Sequence, residues 1–271
     1  MTLFYLTLAK ICHTFPILRR PFWKYVYERM AKSYELSKWT FMNYGYLPED
    51  GVPALELAPE DENDRNLIAL YHHVVDAGEL LGKNVLEVGC GRGGGTSYVA
   101  RYLRPAQLVG VDISDSAVRF CKNRHSIEGL DFRQGDAEAL PFDNNSFDTV
   151  LNVESSHCYG SIDKFFSEVH RVLKPGGSFL IADFRPTEEV DRISESITKA
   201  GFTIQETEDI TQNVLAALEQ DSATKEEWIN NLADTHMQPT LQTFAATSGT
   251  KLYKEFQRGA LLYFRFHAIK P

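Results

Sequence analysis

The chain is poor in cysteine and carries no excess of positive charge. Four cysteines (Cys12, Cys90, Cys121 and Cys158) are scattered over 271 residues without a CxxC pair or a zinc-ligand spacing. That excludes a disulfide framework and a structural zinc site, and it points to a reducing, cytoplasmic setting. The net charge of −9, from 28 Lys+Arg against 37 Asp+Glu, argues against a nucleic-acid binder, which needs a basic face to neutralise phosphates. No run approaches the ~20 apolar residues that span a bilayer. The apolar start Met1–Ala9 is short, meets Lys10, and lacks both a leading basic cluster and a small-residue cleavage site, so it is not read as a signal peptide. No metal-ligand constellation, internal repeat or low-complexity tract is present. A hydrophobic content of 43% and a charged content of 24% describe a globular protein, with length for one large domain or a domain with a lid.

Charge and aromatics are unevenly spread. Residues 1–40 hold seven Lys/Arg against Glu28 and Glu35, and acids cluster at 49–64. Residues 1–78 are rich in aromatics, from Phe4 and Tyr5 to Tyr44 and Tyr46, and are expected to be mostly helical. Such a segment suits a lid whose aromatics line a greasy pocket. A second reading rests it on a membrane surface, with Lys/Arg on one helix face and aromatics on the other.

From Lys83 onward strand and helix patterns alternate, which predicts a parallel sheet with helices on both faces. Strands are expected at 84–88, 107–112, near 130–133, at 147–153, 178–183, 202–208 and 259–269. Helices are expected at 114–125, 161–172 and 187–200, with the Pro175-Gly176-Gly177 turn as a breaker. Residues 212–258 read as two or three helices inserted before the last strand. The organisation is thus a lid at 1–78, a Rossmann-like core at 79–211, a helical cap at 212–258 and a final core strand at 259–271.

The stretch Val85-Leu-Glu-Val-Gly-Cys-Gly-Arg-Gly-Gly-Gly95 reads as a buried strand breaking into a glycine-rich turn, with a helix start at Thr96. Gly89, Gly91 and Gly93 allow a tight turn and close approach of a ligand to the backbone. The helix beyond offers free N–H groups to an anion. Glu87, two residues before the first glycine, would repel a pyrophosphate but suit an ammonium, which favours S-adenosylmethionine (SAM) over NAD. Asp112, closing strand two, can accept both ribose hydroxyls. Asp136-Ala137 is placed at the adenine edge and Ile113 over its face. Each alone has a plainer reading, since an acid at a strand end is often a helix cap. In order, at these spacings, they form a cofactor site.

These motifs, with Gly135–Phe142 and Leu173–Gly177, resemble the class I SAM-dependent methyltransferases over residues 83–183. A narrower resemblance rests on Phe41-Met-Asn-Tyr-Gly-Tyr46, Leu70-Tyr-His-His73, Val150-Leu-Asn-Val-Glu-Ser-Ser-His-Cys-Tyr159 and Ala182-Asp-Phe-Arg-Pro186. It is to the phthiotriol/phenolphthiotriol dimycocerosate methyltransferases and the fatty-acid O-methyltransferases. The resemblance implies a seven-stranded sheet with strand seven antiparallel beside strand six. It also implies methyl transfer to an oxygen of a hydrophobic small molecule or lipid, with S-adenosylhomocysteine as second product. The core motifs do not distinguish acceptor atoms. N- or C-methylation of a hydrophobic natural product stays open, as does a SAM-binding cyclase or binding protein that does not methylate. The oligomeric state is not set by the sequence.

The expected cofactor residues are Tyr71, Glu87, Gly89, Gly91, Gly93, Asp112, Ile113, Asp136, Ala137 and Asn152. Tyr71 lies on the helix before strand one and either reaches the methionine end of SAM or packs in the core. His157, on the loop after strand four, is the candidate general base, because an attacking hydroxyl must lose a proton near neutral pH. The plainer reading has His157 only shaping the pocket. Glu154 is expected to be structural or to fix the imidazole. Cys90 and Cys158 are read as packing.

Overall fold

The computed structural model describes residues 24–25, 28, 39–76, 78–231 and 238–271. Its core is one seven-stranded sheet in the order β3-β2-β1-β4-β5-β7-β6. The strands are β1 (Asn84–Val88), β2 (Gln107–Asp112), β3 (Leu130–Gln134), β4 (Phe147–Val153), β5 (Leu173–Pro186), β6 (Thr203–Asp209) and β7 (Leu261–Ile269). The β1–β5 pairs are parallel, while β7 lies antiparallel between β5 and β6. The seven-stranded expectation holds.

Period two along the central strands sorts side chains onto two helical layers. Val85, Leu151, Val153, Leu180 and Ala182 join one buried cluster with Ile68 and Val74 of α1 (Arg65–Val75). Their neighbours Leu86, Val150, Phe179 and Ile181 join the other, with Phe165, Phe166, Val169 and Val172. Those four residues recur at helical spacing along α4 (Ile162–Val172) and form its inner stripe. The connecting helices are α2 (Gly94–Tyr98), which runs on as a wider π-type turn over Val99–Leu103, α3 (Asp115–Arg124) and α5 (Val190–Lys199). The side chains of Ser114 and Ser161 cap α3 and α4 by accepting from Ala117 N and Lys164 N.

The insertion before β7 holds α6 (Thr211–Asn230), α7 (Gln238–Phe244) and α8 (Lys251–Gln257), in line with the expected two or three helices. Two expectations are corrected. Pro175-Gly176-Gly177 does not precede β5 but lies inside it, because Gly176 N donates to Lys270 O at 2.7 Å and Lys270 N to Gly177 O at 3.0 Å. The irregularity is taken up as a register shift against β4 between Phe147 and Thr149. The described front over 39–58 is also not helical, being interrupted by Gly45, Pro48, Gly51 and Pro53. Cys12 and most of the basic N-terminus lie outside the described residues, and with them most of the segment on which the membrane-surface reading and the first half of the 1–78 lid rest. Among the described residues no helix is long and apolar enough to cross a membrane.

The sheet reverses its order between β1 and β4, which opens a crevice at the carboxyl ends of these strands. The packing beneath that edge carries a test. Phe179 is fully buried, with its ring against Phe165, Phe166 and Phe202 at 5.6–5.9 Å. Phe179→Ala is expected to cost about 3–5 kcal/mol, read as a lowered urea midpoint with an unchanged slope.

Candidate active site

A cavity of about 1300 Å³, counting space open to solvent at its mouth, fills the crevice. Its floor is the glycine turn, Asp112–Ile113 after β2, Asp136–Glu138 after β3 and the Glu154–Tyr159 region after β4. Its cover is the front loop Trp39–Tyr44, with Phe244 of α7 and Lys24.

The glycine turn is crowded from several directions. Gly89 takes φ +78°, and a Cβ there would overlap the Ser155 side chain. A Cβ on Gly95 would fall inside the Tyr71 ring, and one on Gly94 would lie 2.8 Å from the Phe41 ring. Gly94 and Gly95 therefore admit aromatic cover, a role the sequence reading did not assign them. The start of α2 is also less open than expected: Gly94 N donates to Thr40 O at 3.2 Å, so the front loop takes up that N–H. Gly91 N donates to Asp112 Oδ2 at 3.0 Å. Gly93 faces away from the cavity, toward His125, Cys121 and Phe132.

Asp112, Ile113, Asp136 and Ala137 all line the cavity, as does Tyr71. Glu87 does not. It is fully buried behind the wall, where Tyr71 donates to its Oε1 at 2.7 Å and Oε2 has no hydrogen-bond partner among the described residues. Burial raises its pKa, while the Thr96 and Tyr71 hydroxyls pull it back. Tyr71 is thus buried in the core and also links Glu87 to the cavity wall. Asn152 is likewise behind the wall, donating to Val88 O at 2.9 Å, Ser155 Oγ at 2.7 Å and Tyr159 OH at 3.0 Å. Asp112 accepts from Ser114 N as well as Gly91 N. Burial nonetheless raises its pKa to about 6, with the Glu28 carboxylate adding to the rise. Glu28 accepts from the Ser114 and Ser116 hydroxyls at 2.6 and 2.5 Å, which holds its carboxylate beside this acid.

His157 lines the cavity, and its partner is not Glu154 but Asp183, at the end of β5. The Asp183 Oδ1 lies 2.8 Å from His157 Nδ1, and Oδ2 accepts from His157 N at 3.0 Å and Ser156 Oγ at 2.6 Å. Burial would raise the Asp183 carboxyl, but His157 and the Arg185 guanidinium outweigh it and hold the group well below the carboxylate range. For His157 burial lowers the pKa, yet Cys158 and Asp183 overcome it and raise the imidazole to about 10. Asp183 was missed because only the fold sets it beside His157. The signal available was an acid at a strand end in Ala182-Asp-Phe-Arg-Pro186.

Glu154 also lines the cavity but serves the cover. Its Oε1 accepts from Tyr44 N at 2.7 Å and Tyr263 OH at 2.8 Å, joining the front loop to β7. Its backbone is left-handed at φ +47°, a strain of about 1–3 kcal/mol that such contacts offset. Burial is the main cause of its pKa rise to about 7. Among the described residues no group of His, Cys, Asp and Glu is placed to hold a metal.

Comparison with known proteins agrees with this geometry. A family model described as a methyltransferase domain matches residues 86–181. The chain is 38% identical to a phthiotriol/phenolphthiotriol dimycocerosates methyltransferase of Mycobacterium tuberculosis over 89% of each chain. It is 37% identical to a fatty-acid O-methyltransferase of Mycolicibacterium smegmatis, over 92% of this chain and 89% of that one. Among solved structures, the [4+2]-cyclase SpnF superposes with a TM-score of 0.70 at 24% identity, covering 91% of this chain and 93% of its own. A geranyl diphosphate C-methyltransferase of Streptomyces coelicolor superposes with a TM-score of 0.63 at 17% identity, covering 90% and 98%. At these identities the two structures speak for the fold.

The pKa of Asp112 supplies a test. In the expected role at the ribose its carboxylate would need to be ionised, and the folded-state value of about 6 means that it protonates below that pH. S-adenosylhomocysteine affinity, measured by calorimetry, is expected to be level above neutrality and to fall as pH drops through 6. Asp112→Asn should remove that dependence and bind about 10- to 100-fold more weakly at neutral pH.

Proposed function

We infer the acceptor chemistry from one premise: the chain belongs to the class I SAM-dependent methyltransferases, the family of those two relatives. The reading is transfer of a methyl group to an oxygen of a hydrophobic small molecule or lipid. The observation that carries it is the His157–Asp183 couple, with Nδ1 held at 2.8 Å on a cavity wall.

Asp112, Ile113, Asp136, Ala137 and Tyr71 on the wall, with Glu87 behind it, form a set that fits SAM. The unpaired Glu87 Oε2 and the acid at the end of β2 support that fit. When bound, SAM supplies a methyl group activated on a sulfonium. The protein's own contribution is to align the acceptor and exclude water under the cover formed by 39–46. Asp183 fixes the His157 tautomer with its proton on Nδ1, which leaves Nε2 to accept the proton of an attacking hydroxyl. His157 is therefore the general base of this reading, Asp183 its positioning residue, and Glu154 the tie that holds the cover loop.

A second reading within oxygen acceptors is favoured by the same couple. An imidazole raised to about 10 is protonated at neutral pH, and an imidazolium suits an acceptor that is already a carboxylate. No base is then needed. The name of the fatty-acid O-methyltransferase relative supports this variant.

The two readings have opposite pH signs. With a hydroxyl acceptor, kcat/KM is expected to rise with pH as His157 loses its proton, with the midpoint of the rise near pH 10. Asp183→Asn should move that rise down toward the ordinary imidazole range, about 6.5. With a carboxylate acceptor, kcat/KM should be level around neutrality and decline as His157 deprotonates. His157→Ala should cost about 10²–10⁴-fold with a hydroxyl acceptor, with S-adenosylhomocysteine affinity unchanged. A loss under tenfold for that acceptor removes the general-base role.

A further inference from the structure

Apart from the two main core layers, a small apolar cluster joins the front loop to the inserted helices. It consists of Trp39 and Met42 from the front, Trp228 and Ile229 from α6, and Leu241 and Phe244 from α7, with Ala245 alongside. Ile229 and Leu241 are buried at its back, and the Trp39 and Trp228 rings pack at 5.3 Å and 53°. No strand residue takes part, so the sheet does not need this cluster for its own core. Trp39, Met42 and Phe244 also line the active-site cavity, which makes the cluster one of its walls. The wall begins directly over the cofactor turn: the Met42 sulfur lies 3.2 Å from where a Cβ on Gly91 would stand.

The chemistry of this wall differs from that of the floor. The floor carries Asp112, Asp136, Glu154 and His157, while the wall residues bear no charge. The Trp39 carbonyl is already engaged by Arg92 Nε at 2.5 Å. The wall side chains therefore offer mainly apolar contact area and an adaptable thioether. Such a surface fits a flexible saturated chain.

We propose that the Trp39–Met42–Phe244 wall seats an alkyl chain of the acceptor, and that Phe244 limits the length of chain accommodated. This rests on the oxygen-acceptor reading only for where the chain's reactive end goes. The contact of the chain with the wall does not depend on which atom is methylated. Phe244 belongs to the wall and lines the cavity, so shortening its side chain enlarges the seat and enlarging it narrows the seat.

The test uses tryptophan fluorescence of the full chain loaded with S-adenosylhomocysteine, because Trp39 and Trp228 are two of the three tryptophans. Saturated carboxylates and primary alcohols of increasing length, each brominated at the terminal carbon, serve as quenching ligands. Affinity should rise by up to about fourfold per methylene until the seat is filled, then stop rising. Phe244→Ala should move that limit to longer chains, and Phe244→Trp should move it to shorter ones. Affinity for S-adenosylhomocysteine should stay unchanged in both. Trp228→Phe should remove part of the quenching without moving the limit. Chain affinity with no length limit, or a limit that neither Phe244 variant moves, would overturn the proposal, as would no quenching by any chain. If Phe244→Ala fails to bind S-adenosylhomocysteine, Phe244→Trp decides alone. Methyl found on nitrogen or carbon with the length limit intact would defeat the oxygen reading and leave this seat standing.

Discussion

The active site depends on a turn in which three glycine positions have no room for a side chain. At Gly89, Gly94 and Gly95 the space a Cβ would occupy is held by Ser155, Phe41 and Tyr71, which come from three different segments of the chain. That single stretch is where α1, the front loop and the loop after β4 converge. The consequences reach the cavity: Tyr71 can lie against Gly95 and carry Glu87 on its hydroxyl, and Thr40 can cap the start of α2. A glycine-rich turn usually reads as a place where a ligand approaches. Here it is equally the place where the protein approaches itself, and the cover over the cavity is built on that closeness.

Charge is arranged around the same edge of the sheet in a graded way. Asp183 is fully buried yet fully engaged by His157, Ser156 and Arg185, so it remains an anion. Glu154 and Asp112 are supported chiefly by backbone N–H groups and one hydroxyl, and burial pushes both upward. Compensation by cations, rather than burial alone, decides which acids stay charged. Asp183, paired with the His157 ring, is held ionised, while Asp112, at the expected ribose site, titrates at about 6 and Glu154 at about 7. Chemistry and cofactor affinity should therefore respond to pH through different groups.

Much of this was legible in the sequence where the determining contacts are local. The bounds of β1, β2 and β4 and the helical nature of the insertion, expected as two or three helices, follow from periodicity and breakers. What stayed hidden is set by contacts distant in the chain. Asp183 meets His157 because β5 lies beside β4, and Glu154 meets Tyr44 across 110 residues. Pro175-Gly176-Gly177 resembles a loop until the chain end at Lys270 bonds across it and makes it part of β5. Glu87 and Asn152 were grouped with the cofactor residues because strand position identifies the edge of the sheet but not the depth behind its wall.

The central claim is methyl transfer to an oxygen of a lipophilic acceptor, and the most direct measurement follows the methyl itself. SAM carrying a ¹³C-methyl would be turned over with a lipid extract of the source cells, and the organic phase examined by carbon NMR and mass spectrometry. The account predicts label in the organic phase as an oxygen-bound methyl, either an ester that alkali cleaves or an ether that it does not, and much less label with Asp112→Asn at limiting SAM. Label on carbon or nitrogen, or label confined to the aqueous phase, would contradict it.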